Sequence, residues 1–288
     1  MTTRRWAHLA AAATLGVLVW RVGTGPFLDG LRAVDGRALA AASGLAVLTT
    51  VCCAWRWRTV AGGLGVELPL RTAVAAYYRS LFLNVTLPGG VVGDVHRGIS
   101  HGRESRDVGL GLRAVAWERS AGQAVQILLT MAVLLVLPSP VRGVAPLVAV
   151  ALLGVAAGVA LAMRAWPAAG RDLHTAVLSR RTWAPIALAS ALVVAGHAVT
   201  FVIAARTAGA TAPPDQLLPL ALLVLLGAAL PNIGGWGPRE GVTAWAFAAA
   251  GLGASLGVAT AVVYGVMVFV ASLPGAAVLL ITWVRRDA

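Results

Sequence analysis

Two short charged stretches, each broken by glycine and proline, interrupt an otherwise apolar sequence. The first, 83–99, reads LNVTLPGGVVGDVHRGI; the second, 230–242, reads LPNIGGWGPREGV. Hydrocarbon cannot hydrogen-bond loose backbone, so such breaks survive at membrane depth only when buried in protein or lining a cavity. Charges there are costly and mark function by default. The chemistry they suggest is anion binding. A guanidinium presents a planar fork to a phosphate diester, and freed N–H groups at the start of a half-helix attract the same group. The candidate ligands are Arg97, Asn84, Gly89, Gly90 and Gly93 in the first stretch, and Arg239, Gly234, Gly235 and Gly237 in the second.

The local spacing refines this. Pro88 lacks a donor and ends a helix. Asp94 and Arg97 are three apart, so on a helix they share a face; His96 lies between them in sequence. A cytoplasmic loop with a capping Asp and a topology-setting Arg fits the same residues. In the second stretch Pro238 suits the first turn of a new half-helix, where Glu240 complements the helix dipole. A structural Arg239–Glu240 pair is the plain alternative, although neighbours on a helix do not face each other and each then needs another partner.

A third set lies in the apolar run 110–137, where Glu118 and Arg119 follow Trp117. Arg119, Gln123, Gln126 and Thr130 recur at helical spacing and form a polar stripe that must face the bundle or water. Glu118 is expected to pair with Arg97 or Arg239; helix–helix hydrogen bonding explains the stripe equally well. His197 stands alone in an apolar helix and reads as a buried hydrogen-bonding residue. Asp94, Glu118, Arg119 and Glu240 form a charge-coupling set that compensates the arginines or titrates.

The elements that must position these residues are membrane helices. Eight apolar segments fit, at 6–22, 38–55, 72–92, 110–137, 144–163, 183–205, 216–250 and 256–284, where about 20 residues cross a bilayer. The N-terminal run has no clear cleavage site and is read as a first transmembrane helix. Arg56, Arg58 and Arg71 follow the second segment, while Arg97, Arg103, Arg106 and Arg113 follow the third. Both groups lie inside by the positive-inside rule only if 72–92 returns to the side it entered from. Segment 216–250 must likewise return outside. The expected fold is an all-α polytopic bundle forming a single domain over 1–288. It has six full crossings plus two oppositely oriented re-entrant hairpins, with both termini in the cytoplasm. Paired interrupted segments of this kind are the best sequence pointer to a transporter site.

Composition agrees. The 288 residues are 59% hydrophobic and only 12% charged, against about 25% charged in soluble domains. The net charge is +12, with Arg as every basic residue. This charge suits topology and anionic headgroups; nucleic acid is not expected as a partner, because most Arg residues lie in short loops. Cys52 and Cys53 are adjacent in an apolar helix and give no disulfide framework or metal site. No ATP-binding motif, catalytic serine elbow or zinc-binding helix motif occurs, and no cofactor is expected.

Three segments, N-x-x-L-P-G-G-x-x-G-D-x-x-R from Asn84 to Arg97, the Glu118-Arg119 pair and L-P-x-x-x-G-x-G-x-R-E-G from Leu230 to Gly241, resemble the lysylphosphatidylglycerol synthetase transmembrane (flippase-like) family. The likeness spans nearly the whole chain. It implies a lipid translocase of the cytoplasmic membrane, with functional positions at Asp94, Arg97, Glu118, Arg119, Arg239 and Glu240. The soluble synthase domain of bifunctional relatives has no counterpart in this sequence, so translocation rather than an enzymatic activity is expected.

The expected substrate is an anionic phospholipid or a polyprenyl-phosphate glycolipid, held by Arg97 and Arg239 between the hairpins. Two rivals remain open. One is a non-transporting subunit of a lipid glycosyltransferase or synthase. The other is a membrane enzyme using Asp94, His96 and Glu118 as acid and base. Gly- and Ala-rich helices pack equally well within one bundle or between protomers, so a homo-oligomer also remains open.

Overall fold

The structure is a computed structural model that describes residues 20, 23–137, 139–165, 167–230, 232 and 236–287. The expected first span, 6–22, lies outside the described residues apart from Trp20, as do Gly234 and Gly235. The described residues fold into helices joined by short turns. These are α1 (Gly25–Ala33), α2 (Gly36–Gly63), α3 (Leu70–Thr86), α4 (Val92–Glu104), α5 (Val108–Val136), α6 (Ala145–Ala165) and α7 (Pro167–Asp172). After a π-helical turn at Leu173–Leu178 come α8 (Trp183–Thr207), α9 (Pro214–Ala228), α10 (Pro238–Ala249), α11 (Ala254–Ser272) and α12 (Pro274–Asp287).

Five stretches among them are long and apolar enough to cross a membrane: α2, α5, Arg142–Ala165, α8, and α11 with α12. Aspartates cap the starts of α2 and α5. The Asp35 carboxylate accepts from the Ala38 amide at 2.7 Å, and Asp107 from Leu110 at 2.9 Å. Each satisfies one of the four donors that a helix start leaves without an internal partner.

Helices α2 and α8 pack side by side and antiparallel. Arg56, late in α2, reaches Ser190, early in α8, and Thr49 packs on Gly196. The end of α2 therefore sits beside the start of α8. Helices α3 and α4 leave from the end of α2 and return to the same side at the start of α5. Helices α9 and α10 do the same at the opposite end, between α8 and α11. These are the two oppositely rooted re-entrant hairpins, and their tips meet: the Gly89 amide donates to the Asn232 carbonyl at 2.8 Å.

Two boundaries differ from the sequence expectation. Segment 38–55 continues as helix to Gly63, so Arg56 is not a loop residue but a buried one, about 10 Å inside the helix end. The stretch after Pro88, read as a charged loop, is helix α4 from Val92 onward. It is a helix because it can lie against two others. Gly93 sits where any Cβ would strike the Ser80 carbonyl of α3, and the Gly93 amide donates to Asn84 Oδ1 at 2.7 Å. Apolar side chains then fill the opposite half of the bundle, where Phe201, Phe247 and Tyr264 bring α8, α10 and α11 together.

Candidate functional site

Apart from a half-buried Arg113–Asp172 pair at 3.3 Å, the buried charged side chains among the described residues gather at two places. The first is a buried network between α2, α3, α4 and α5, roughly 15 Å from the start of α5. Glu118 is its centre. Its Oε1 accepts from Arg56 Nε at 2.8 Å and Nη2 at 2.5 Å, and from the Tyr77 hydroxyl at 3.1 Å. Its Oε2 accepts from Arg97 Nη2 at 3.0 Å. Arg97 also donates to Asp94 at 3.1 Å, and Asp94 takes further bonds from Ser80, Asn84 and Arg119. Two carboxylates thus bind three guanidiniums, and the network carries one formal positive charge. Removing the Glu118 carboxylate leaves Arg56 and Arg97 short of a counter-charge in a medium where an isolated charge costs several kcal/mol.

Within this network Arg97 and Arg119 differ sharply in access. The Arg97 side chain has no exposure, whereas that of Arg119 is 48% exposed. Arg97 lies between aromatic faces, 4.4 Å from the Trp57 centroid and 4.1 Å from that of Tyr77. Its Nε and Nη1 have no hydrogen-bond acceptor among the described residues. The rings stabilise the charge through their quadrupoles.

The second place is the start of α10. Arg239 donates to Glu240 Oε1 from Nε at 2.9 Å and from Nη2 at 2.5 Å. The expectation that these neighbours do not pair is corrected here. Both lie in the first turn, where Glu240 folds back to accept the Gly237 amide through Oε2 at 2.6 Å. That reversal brings its other oxygen within reach of Arg239, a geometry unavailable in mid-helix. Tyr264 and Trp236 flank the guanidinium, with ring centroids 5.4 and 5.7 Å away. Gly265 of α11 leaves the space it occupies, since a Cβ there would lie 2.6 Å from Nη2.

Among the described residues Arg239 is the one charged residue lining a cavity of about 160 Å³, together with Val85, Trp236, Gly265, Val266, Val268 and Phe269. Phe269, at one side of the cavity, is exposed on the surface formed by the described residues.

The fold brings Asp94, Arg97, Glu118 and Arg119 together, but it places Arg239 and Glu240 in a separate cluster. Glu118 pairs with Arg97, as one of its two expected partners, and not with Arg239. The two arginines expected to share a phosphate therefore do not adjoin; Arg97 lines neither the Arg239 cavity nor the smaller one beside it. His96 points outward from α4 while Asp94 is buried, so the acid–base trio of the enzyme reading does not converge.

Several loop amides expected to hold an anion already have partners: Gly89 on Asn232, Gly93 on Asn84 and Gly237 on Glu240. Asn84 and the glycines, Gly90 against Asn232 included, build the hairpin tips. Sequence reasoning missed Arg56, Trp57, Tyr77 and Ser80 as members of the first network. The available signal was an arginine followed by tryptophan before the α2 hydrophobic run had ended.

The lysylphosphatidylglycerol synthase TM region, as a family, matches the chain over residues 6–275. No curated protein matches it.

Proposed function

The chain belongs to the lysylphosphatidylglycerol synthase TM-region family, matched over most of its length, and from that premise we propose that it moves an anionic lipid between the two leaflets. The family makes it a multi-pass membrane protein of lipid metabolism or transport. The finer reading rests on one observation: among the described residues Arg239 is the charged one in an otherwise apolar cavity beside the meeting tips of two re-entrant hairpins.

A lipid phosphate in that cavity meets the guanidinium fork and the positive end of α10, in surroundings of low dielectric where both act strongly. Glu240 holds the guanidinium when the site is empty and yields part of it to the phosphate. The acyl chains stay outside, past Phe269. The Glu118 network does not touch the lipid; it fixes the α3–α4 hairpin against α2 and α5, with Arg119 at its accessible edge. The reaction makes and breaks no covalent bond. The membrane is the cytoplasmic one, with both termini in the cytoplasm, because that orientation puts the Arg-rich turns inside.

The test is lipid movement in proteoliposomes. Wild type transfers a tail-labelled anionic phospholipid between leaflets. Arg239→Gln, which keeps bulk and loses charge, slows it at least tenfold, and Arg239→Lys falls between. If no lipid moves under any imposed gradient, the translocase reading fails and a partner-subunit or enzymatic role takes its place.

A further inference from the structure

Net movement of an anion across a membrane needs a driving gradient, and a titratable side chain at membrane depth can tie that movement to protons. His197 is such a side chain. It stands two residues past the middle of α8, a span of 25 residues. Every buried carboxylate among the described residues already holds a guanidinium: Asp94 with Arg97 and Arg119, Glu118 with Arg56 and Arg97, Asp172 with Arg113, and Glu240 with Arg239. Protonating one of them strands an arginine at low dielectric, which is costly. His197 has no carboxylate partner among the described residues. It bonds instead to the Tyr264 hydroxyl, at 3.1 Å through Nδ1. A proton therefore binds and leaves the ring without breaking an ion pair. One nitrogen of the neutral imidazole carries no hydrogen and takes the proton, after which Nδ1–H donates to the Tyr264 oxygen.

The same tyrosine links His197 to Arg239. Its hydroxyl meets the imidazole, and its ring centroid lies 5.4 Å from the Arg239 guanidinium. His197 also lines a smaller cavity of about 70 Å³, which shares Val85 and Val268 with the Arg239 cavity. The other ionisable groups around it are these. From α2, Cys53 lines the small cavity and Arg56 stands behind it, 3.8 Å from its sulfur. From α3 comes Tyr77. Helix α5 carries Arg113, Glu118 and Arg119, each in an ion pair. Helix α9 has only Asp215, at its exposed start, and the π-helical turn has only the exposed His174. No carboxylate among the described residues lines either cavity. A proton on His197 thus adds positive charge beside Arg56 and Arg239, and a lipid phosphate on Arg239 supplies the missing negative charge.

We propose that His197 is the proton site that couples lipid movement to a proton gradient, one proton binding and crossing with each anionic headgroup. Proton and phosphate strengthen each other's binding by the same factor, as linkage requires. This rests on the Arg239 reading.

The experiment uses proteoliposomes with tail-labelled phosphatidylglycerol as the probe, because its phosphodiester keeps one charge from about pH 5.5 to 8, the range in which histidine titrates. A pH-sensitive dye fills the lumen, and the membrane potential is clamped at zero. In wild type the rate rises about tenfold from the alkaline to the acid end, the size expected of one charge felt across a single aromatic ring. An inward proton gradient drives lipid inward, and the lumen acidifies in proportion to the lipid moved. His197→Gln and His197→Asn move the lipid at the slow alkaline rate of wild type at every pH and carry no protons; their thermal midpoints establish that they are folded. Arg239-dependent lipid movement without proton flux in wild type overturns this inference and leaves the translocase standing. So does a wild-type pH profile in a folded His197 variant. Should neither variant fold, the proton flux of wild type decides. Absence of any lipid movement overturns the Arg239 reading and this inference with it.

Discussion

Arg97 and Glu118 meet at 3.0 Å, and neither side chain is exposed. Glu118 also receives Arg56 and Tyr77, so one carboxylate holds α2, α3 and α4 against α5. Glu118→Gln removes the charge that compensates two buried guanidiniums. The expected loss is about 3–5 kcal/mol, read as a lower thermal midpoint of the detergent-solubilised protein. The double variant Arg56→Met, Glu118→Leu removes one charge of each sign. It is predicted to be more stable than Glu118→Gln alone; a double variant that unfolds earlier argues against charge burial as the cause.

Arg119 shares Asp94 with Arg97 but sits at the edge of the network, half exposed. Water or lipid headgroups screen its pairing, so Arg119→Ala costs about 1 kcal/mol or less, while Arg97→Ala falls in the range of a broken buried pair. The order of the two melting midpoints checks this directly. A larger loss at Arg119 contradicts the exposure difference.

The sequence carried the Asp94–Arg97 pairing because both partners stand on one helix at a fixed spacing. It carried the hairpins because the charge of the turns cannot be reconciled with straight crossings. Arg56 was not legible as a site residue. Its value depends on which helix faces α2 at that depth, and an arginine near the end of an apolar run looks the same whether it tips into the cytoplasm or inward. The Arg239–Glu240 contact was hidden for another reason. Side-chain spacing rules apply to helix interiors, whereas the first turn obeys capping geometry. The second cavity was invisible because its lining comes from four helices, each of which reads as ordinary apolar sequence with scattered hydroxyls.

The contact between hairpin tips is open to cross-linking. A Cβ on Gly90 would lie 2.6 Å from the Asn232 side chain. The pair Gly90→Cys and Asn232→Cys, in a chain with Cys52 and Cys53 replaced by Ala, is expected to form a disulfide within one molecule under mild oxidation, detected by mass spectrometry after digestion. Persistently free thiols argue that the tips stand apart.

The turn between α4 and α5 places Arg106 at φ 59°. A left-handed conformation costs a side-chain-bearing residue roughly 1–2 kcal/mol, and glycine adopts it freely. The Asp107 amide closes this turn on the Gly102 carbonyl at 2.8 Å, so the backbone is held in place whichever residue stands at 106. Arg106→Gly is expected to raise the thermal midpoint by the equivalent of about 0.5–1 kcal/mol, the strain relief less the entropy that glycine adds to the unfolded chain. A lowered midpoint would show that the arginine side chain stabilises the turn more than its backbone strains it.

Glu240 separates binding from release. In the empty site its Oε1 holds Arg239 while its Oε2 caps the Gly237 amide. Glutamine at this position can still accept the amide through its carbonyl oxygen, but it no longer neutralises the guanidinium. A lipid phosphate then meets a fully uncompensated cation in a cavity of low dielectric. Glu240→Gln is therefore expected to bind anionic lipid more tightly and to release it more slowly. In the liposome assay both the lipid concentration giving half-maximal rate and the maximal rate fall, the signature of a ground state stabilised more than the step that follows. The direction is opposite to Arg239→Gln, which weakens binding. If Glu240→Gln instead raises the half-saturating concentration, the carboxylate orients Arg239 for the phosphate rather than competing with it.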